Sequence, residues 1–195
     1  GDGTNGKLGN GGSSSSLVPV STNGFGSNRT AVAISASGSY HTCVVLDDGT
    51  VSCWGRGTDG ELGNGALANQ NIPTSVSNLG VNRTAVAISS GSYHTCAILD
   101  IGSVKCWGRG IQGQLGDGNS SNSSSPVLTD SFGVARTAVA ISSGGFHSCV
   151  ILDNGVVSCW GEGANGQLGH GSTGSSASRN TPTNTSTFGT GITAI

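Results

Sequence analysis

Few side chains in this chain can do chemistry, and those that can recur at a fixed interval. Six cysteines form three pairs of one spacing: Cys43 with Cys53, Cys96 with Cys106, and Cys149 with Cys159. Paired thiols can close disulfides or hold zinc. Zinc sites favour closer cysteine pairs or added histidines, whereas nine intervening residues suit opposed positions on a hairpin. His41, His94 and His147 each stand two residues before the first cysteine of a pair. Imidazoles can bind metal or move protons, but their identical placement in every copy points to a structural hydrogen bond. His170 stands alone and has no assigned role. Acidic residues are too few and too dispersed for a carboxylate pair, and neither a Gly-x-Ser-x-Gly elbow nor a phosphate loop occurs. The reading is therefore of a non-enzyme with no catalytic residue, no cofactor and no metal.

Asn-x-Ser/Thr triplets at Asn28, Asn82, Asn119, Asn122 and Asn184 are candidate N-glycosylation sites. Asn28 and Asn82 hold the same place in successive units, and Ala135 stands there in the third. Composition narrows the class further. Charged residues are 9% of the 195, against about 25% in ordinary domains, and 35 are glycine. The eight basic residues are scattered at a net charge of −2, so no patch is expected to engage nucleic acid. No apolar run approaches the ~18–20 residues of a membrane span. Paired cysteines, low charge and sequons together place the chain outside the cell or on its surface, with covalent N-linked glycans.

The elements that must carry these residues follow from an internal repeat. The cysteines, Trp54, Trp107 and Trp160, and Leu62, Leu115 and Leu168 all recur every 53 residues. SYHTCVVLDDGTVSCWGRGTDGELGNG from Ser39 is echoed from Ser92 and Gly145, each copy preceded by RTAVAIS; an extra residue near Ala36 lengthens the first unit. The units divide as 1–30 (a partial repeat), 31–84, 85–137, 138–191, and 192–195, which begins a further one. AVAIS, CVVLD and TVSCW read as short strands between Gly-rich turns, with no helical stripe. A three-residue turn at Asp47-Asp48-Gly49 makes paired residue numbers sum to 96 and sets Cys43 opposite Cys53. The same rule joins the other two pairs. Strands this short cannot bury both faces alone, so units must stack, with each tryptophan between neighbours. The serine-rich stretches 13–16 and 120–125 read as loops on one rim.

At these residues the chain resembles the regulator of chromosome condensation repeat family. His41, Thr42, Leu46, Gly49, Val51, Trp54 and Gly55, then Gly60, Leu62 and Gly63, follow the family's hallmark, and the other two copies repeat it. Gln114-Leu115-Gly116 and Gln167-Leu168-Gly169 match the closing Gln-Leu-Gly, with Glu61 and Lys7 replacing Gln elsewhere. The resemblance implies four-stranded antiparallel blades around an axis, usually seven, so that about 370 residues would close a ring. It implies all-β architecture, as a propeller or an open propeller-like array. Family roles in nucleotide exchange, chromatin binding, light sensing and enzyme inhibition lie in loops outside the motif. Two functions are expected from this. The first is an extracellular structural or adhesive repeat protein whose partners are neighbouring repeats, copies of itself or a glycan, and whose units can propagate as a fibre. The alternative is a closed propeller acting as a protein-binding module.

Overall fold

The computed structural model describes residues 1–36 and 40–186. Every unit builds one antiparallel sheet of four strands in chain order. Blade 1 holds β1 (Ala31–Ser35), β2 (His41–Leu46), β3 (Val51–Gly55) and β4 (Gln70–Ser75). Blade 2 holds β5 (Ala85–Ser90), β6 (His94–Leu99), β7 (Val104–Gly108) and β8 (Ser123–Leu128). Blade 3 holds β9 (Ala138–Ser143), β10 (His147–Leu152), β11 (Val157–Gly161) and β12 (Arg179–Asn184). Single 3₁₀ turns at Thr4–Gly6 and Ser175–Ala177 are the only other regular elements among the described residues. The expected further strand at 192–195 lies outside them.

The central hairpin is a local product of its turn. Gly49 takes φ +76°, which glycine adopts without steric cost, and the Asp48 carboxylate accepts the Thr50 N–H at 3.0 Å. The register is the one the turn length demands: His41 pairs with Gly55, Thr42 with Trp54, and Cys43 with Cys53. Blades 2 and 3 repeat it. The turn glycines also tie neighbours together, because the Ala85 N–H donates to Gly49 O and the Ala138 N–H to Gly102 O, both at 2.8 Å.

The fourth strands are polar, read QNIPTS, SSSPVL and RNTPTN, and lie at the sheet edge. Pro73, Pro126 and Pro182 are tolerated there because an edge strand has one unpaired side. Ser123–Ser125 thus belong to β8, a correction to the loop expected over 120–125; Ser123 pairs with Gly108 of β7 although the serine side chains carry no strand signal. The first strands contact one another from blade to blade, which makes them the inner edge of the stack.

Sandwiching decides the core. All six residues of β2 and of β6 are buried. Cys43, Val45, Cys53 and Leu62 of the first unit form one cluster with Ala85, Ala97, Leu99 and Trp107 of the second. Cys96, Ile98, Cys106 and Leu115 form the next with Ala138, Val150, Leu152 and Trp160. On β10 only Ser148, Val150 and Leu152, on the blade 2 side, are buried.

Candidate functional site

Two places gather the chain's distinctive side chains: the seam between blades and one rim. In the seam, each indole N–H donates to the closing turn of the preceding unit. Trp54 donates to Lys7 O at 2.9 Å, Trp107 to Glu61 O at 2.8 Å and Trp160 to Gln114 O at 2.9 Å. The next residues but one after the acceptors are Gly9, Gly63 and Gly116, at φ +65° to +70°, where a Cβ would sit 2.7 Å from the indole nitrogen. The closing glycine therefore exists to admit the neighbour's tryptophan. Leu62 and Leu115 lie buried in two of these turns, and Leu168 is buried in the equivalent turn of the third unit.

The histidines bridge the same seam. His41 Nε2 meets Thr95 Oγ1 at 2.7 Å, and His94 Nε2 meets Ser148 Oγ at 2.7 Å. The Thr95 hydroxyl donates to Glu61 O at 3.0 Å, so it accepts from His41, which carries its proton on Nε2. Nδ1 of both rings is buried without a partner among the described residues, which fits a neutral imidazole. Burial pushes His41 down to about 4 and His94 down to about 3, the Arg56 charge adding to the first effect and the neighbouring histidines to the second. His147, half-buried on the outer face of blade 3, is lowered by the same desolvation. Cys43–Cys53, Cys96–Cys106 and Cys149–Cys159 are bonded, the first two pairs buried in the seams. Among the described residues no group of three or more His, Cys, Asp or Glu gathers that could hold a metal. The His170 Nε2–H contacts its own loop, at Ala177 O, 2.9 Å away.

The rim site was not read from the sequence. It sits at the open end of each central hairpin, where the Arg56 N–H donates to Tyr40 O, Arg109 to Tyr93 O and Glu162 to Phe146 O. Blade stacking lines up the three rings, with centroids 5.2 Å apart for Tyr40–Tyr93 and 5.5 Å for Tyr93–Phe146. The Arg56 guanidinium lies 5.8 Å from Tyr40 and 4.9 Å from Tyr93; that of Arg109 lies 5.4 Å from Tyr93 and 5.7 Å from Phe146. All four distances are in cation–π range. A signal was present in the repeat: the residue before each histidine is aromatic, and the residue after each Trp-Gly is charged.

The closing turns explain the Gln of the motif and its Glu substitute. Glu61 Oε2 accepts the Asp59 N–H at 2.8 Å, Gln114 Oε1 that of Gln112 at 2.9 Å, and Gln167 Oε1 that of Asn165 at 2.8 Å. Either side chain supplies the acceptor. Burial pushes the Glu61 carboxyl up, against the pull of backbone donors and of Arg56.

All five sequon asparagines are exposed. Asn28 and Asn82 have φ +59° and +54°, in the left-handed region that asparagine tolerates best after glycine, and Ala135 adopts +54° in the third unit. Their shared placement is thus a turn requirement. Asn122 is engaged at both ends of its amide, accepting the Gly110 N–H at 3.0 Å and donating to Asp59 at 3.3 Å. Asn119 donates to Asp117, and Asn184 ends β12.

Comparison with known proteins gives one consistent answer. The Regulator of chromosome condensation (RCC1) repeat matches residues 1–45, 48–98, 102–151 and 154–195, and a second pattern of that repeat matches 31–61, 85–114 and 138–167. The block 48–98 runs from the third strand of blade 1 to the second of blade 2, so the family unit spans a seam. The ultraviolet-B receptor UVR8 of Arabidopsis thaliana is 36% identical over 143 residues, 73% of this chain and 32% of the receptor. The human E3 ubiquitin-protein ligase HERC2 is 32% identical over 173 residues, 88% of this chain and 4% of the ligase. This chain thus spans a third or less of those relatives. Human WBSCR16 superposes with a TM-score of 0.82 over 96% of this chain and 47% of its own, at 22% identity. Yeast RCC1 (Prp20), crystallised with Kap60 bound, gives 0.70 over 82% of this chain and 38% of its own, at 20% identity.

Proposed function

Because the chain belongs to the regulator of chromosome condensation repeat family, we propose that its blades form part of a non-catalytic β-propeller that binds a protein partner through the rim bearing Tyr40, Tyr93 and Phe146. The aromatic–guanidinium ladder carries this reading. Aromatic rings and arginines are the side chains that dominate protein-binding hot spots, and here they form one row on a rigid stack. Binding of Kap60 to yeast Prp20 supports it at the level of the fold.

Three bonded cysteine pairs support residence in an oxidising compartment, such as the extracellular space. They also favour a second reading, an extracellular structural or adhesive protein. In that case glycans at Asn28 and Asn82 would decorate the hairpin-turn rim, opposite the ladder. An intact mass equal to the bare polypeptide would remove the glycans from that reading.

The binding reading is tested with a photoreactive phenylalanine at exposed Ile111, beside the ladder, or at exposed Ile101, in the opposite rim's hairpin turn. The expected result is a protein adduct at position 111 and not at 101, with the captured protein, once purified, binding about tenfold more weakly to Tyr93→Ala or Phe146→Ala. Equal capture at both positions, or capture at 101 alone, would overturn it.

A further inference from the structure

Of the two guanidiniums in the ladder, that of Arg109 meets neither a carboxylate nor a hydrogen-bond acceptor among the described residues. Four equivalent pairs of positions can be compared, one at each closing turn. Lys7 is paired with Asp2 at 2.6 Å. Arg56 is held by Glu61 and, at 2.8 Å, by Asp59. Glu162 accepts from Gln167 at 3.3 Å. In the remaining turn Gln112 and Gln114 stand where the second unit's predecessor has Asp59 and Glu61. The Gln114 amide is turned to Gln112, accepting its N–H at 2.9 Å and donating to its side-chain oxygen at 3.2 Å. Among the described residues nothing accepts a hydrogen bond from the Arg109 guanidinium, and no carboxylate pairs with it.

We propose that Arg109 is the seat of a single carboxylate, an aspartate or glutamate side chain of the partner protein. The inference rests on the ladder rim being the binding surface. Tyr93 and Phe146 hold the guanidinium against their rings at 5.4 and 5.7 Å, so little conformational freedom is left to lose on binding. Their faces do not consume its N–H groups, which stay available for a two-pronged bond to a carboxylate. The surroundings select one charge and reject a polyanion. Arg56 is already neutralised, Glu162 occupies the matching position in the next unit, and Asp59 lies in the preceding turn. A run of phosphates would meet those acidic groups on either side of its one attraction.

The test uses arginine Nε–Hε resonances of the whole labelled chain, titrated with acetyl-Gly-Glu-Gly amide, with acetyl-Gly-Gln-Gly amide and inorganic phosphate as separate probes. The Arg109 signal is expected to shift saturably with the glutamyl peptide and to stay still with the glutaminyl peptide. Gln114→Glu rebuilds the internal pair seen at Arg56 and Glu61, and should weaken the glutamyl peptide about tenfold with the fold intact; Arg109→Gln should abolish the response. The seat is refuted if Arg109 does not shift, if Arg29, Arg83 and Arg136 shift as much, if phosphate binds as well as the peptide, or if Gln114→Glu binds like the parent. Should the seat fail while crosslinking at position 111 still captures a partner, only the carboxylate assignment falls. Should that capture fail too, the rim reading falls with it.

Discussion

The seam between blades and the ladder rim are built by the same repeat yet treat it in opposite ways. In the two seams the flanking units supply the same tryptophan, leucine, glycine and cysteine pair, because each is enclosed by a neighbour with no room for change. On the rim the equivalent positions run Asp2, Arg56, Arg109 and Glu162, and their turn partners Lys7, Glu61, Gln114 and Gln167. A partly exposed charge such as Arg56, Arg109 or Glu162 can be exchanged at little cost, and even the buried turn partner differs between Glu61 and Gln114, whereas a seated indole cannot change. The difference teaches where to look for function: stability occupies the seam, and individuality is confined to the rim.

The comparison breaks most severely if a seam tryptophan proves dispensable. Trp107→Ala empties a fully buried seat and strands Glu61 O without its indole donor, and should cost about 4 kcal/mol in denaturant unfolding. Acid sharpens the contrast next. The depressed values of His41 and His94 mean that the unfolded chain takes up protons before the folded one does. Their stabilisation is complete above about pH 6.5 and is lost as pH falls toward 4 and then 3, by about 3 kcal/mol for His41 alone. A His41→Asn, His94→Asn variant should show a flatter stability profile between pH 6.5 and 4; an unchanged slope would detach the histidines from the seam's energetics. The smallest effect belongs to the rim turns. Ala135→Gly relieves a left-handed alanine and should raise stability by about 1 kcal/mol, read as a small increase in melting temperature.

Legibility followed the same division. The 53-residue period, the hairpin turn, the opposed cysteines and the inter-unit position of tryptophan could all be read along the chain, since each depends on neighbours in sequence or on the plain need to bury an apolar group. The fourth strands could not be. QNIPTS, SSSPVL and RNTPTN carry no alternating apolar pattern, because an outer edge strand is held by backbone pairing to the strand beside it and leaves most of its side chains partly exposed. The placement of Asn28 and Asn82 invited a reading as decoration, and the backbone gives it a simpler cause in the left-handed turn.

What the sequence determined by itself was a repeated hairpin with a sulfur bridge and an indole that must lean on another copy, since turn chemistry and hydrophobic burial act locally and identically in every unit. Only the tertiary structure decided which atoms meet across copies: His41 with Thr95, Trp107 with Glu61 O, Tyr93 with Phe146, and Arg109 with no counter-charge among the described residues. Those meetings depend on how one blade is rotated against the next, and that rotation is set by the packing of whole sheets.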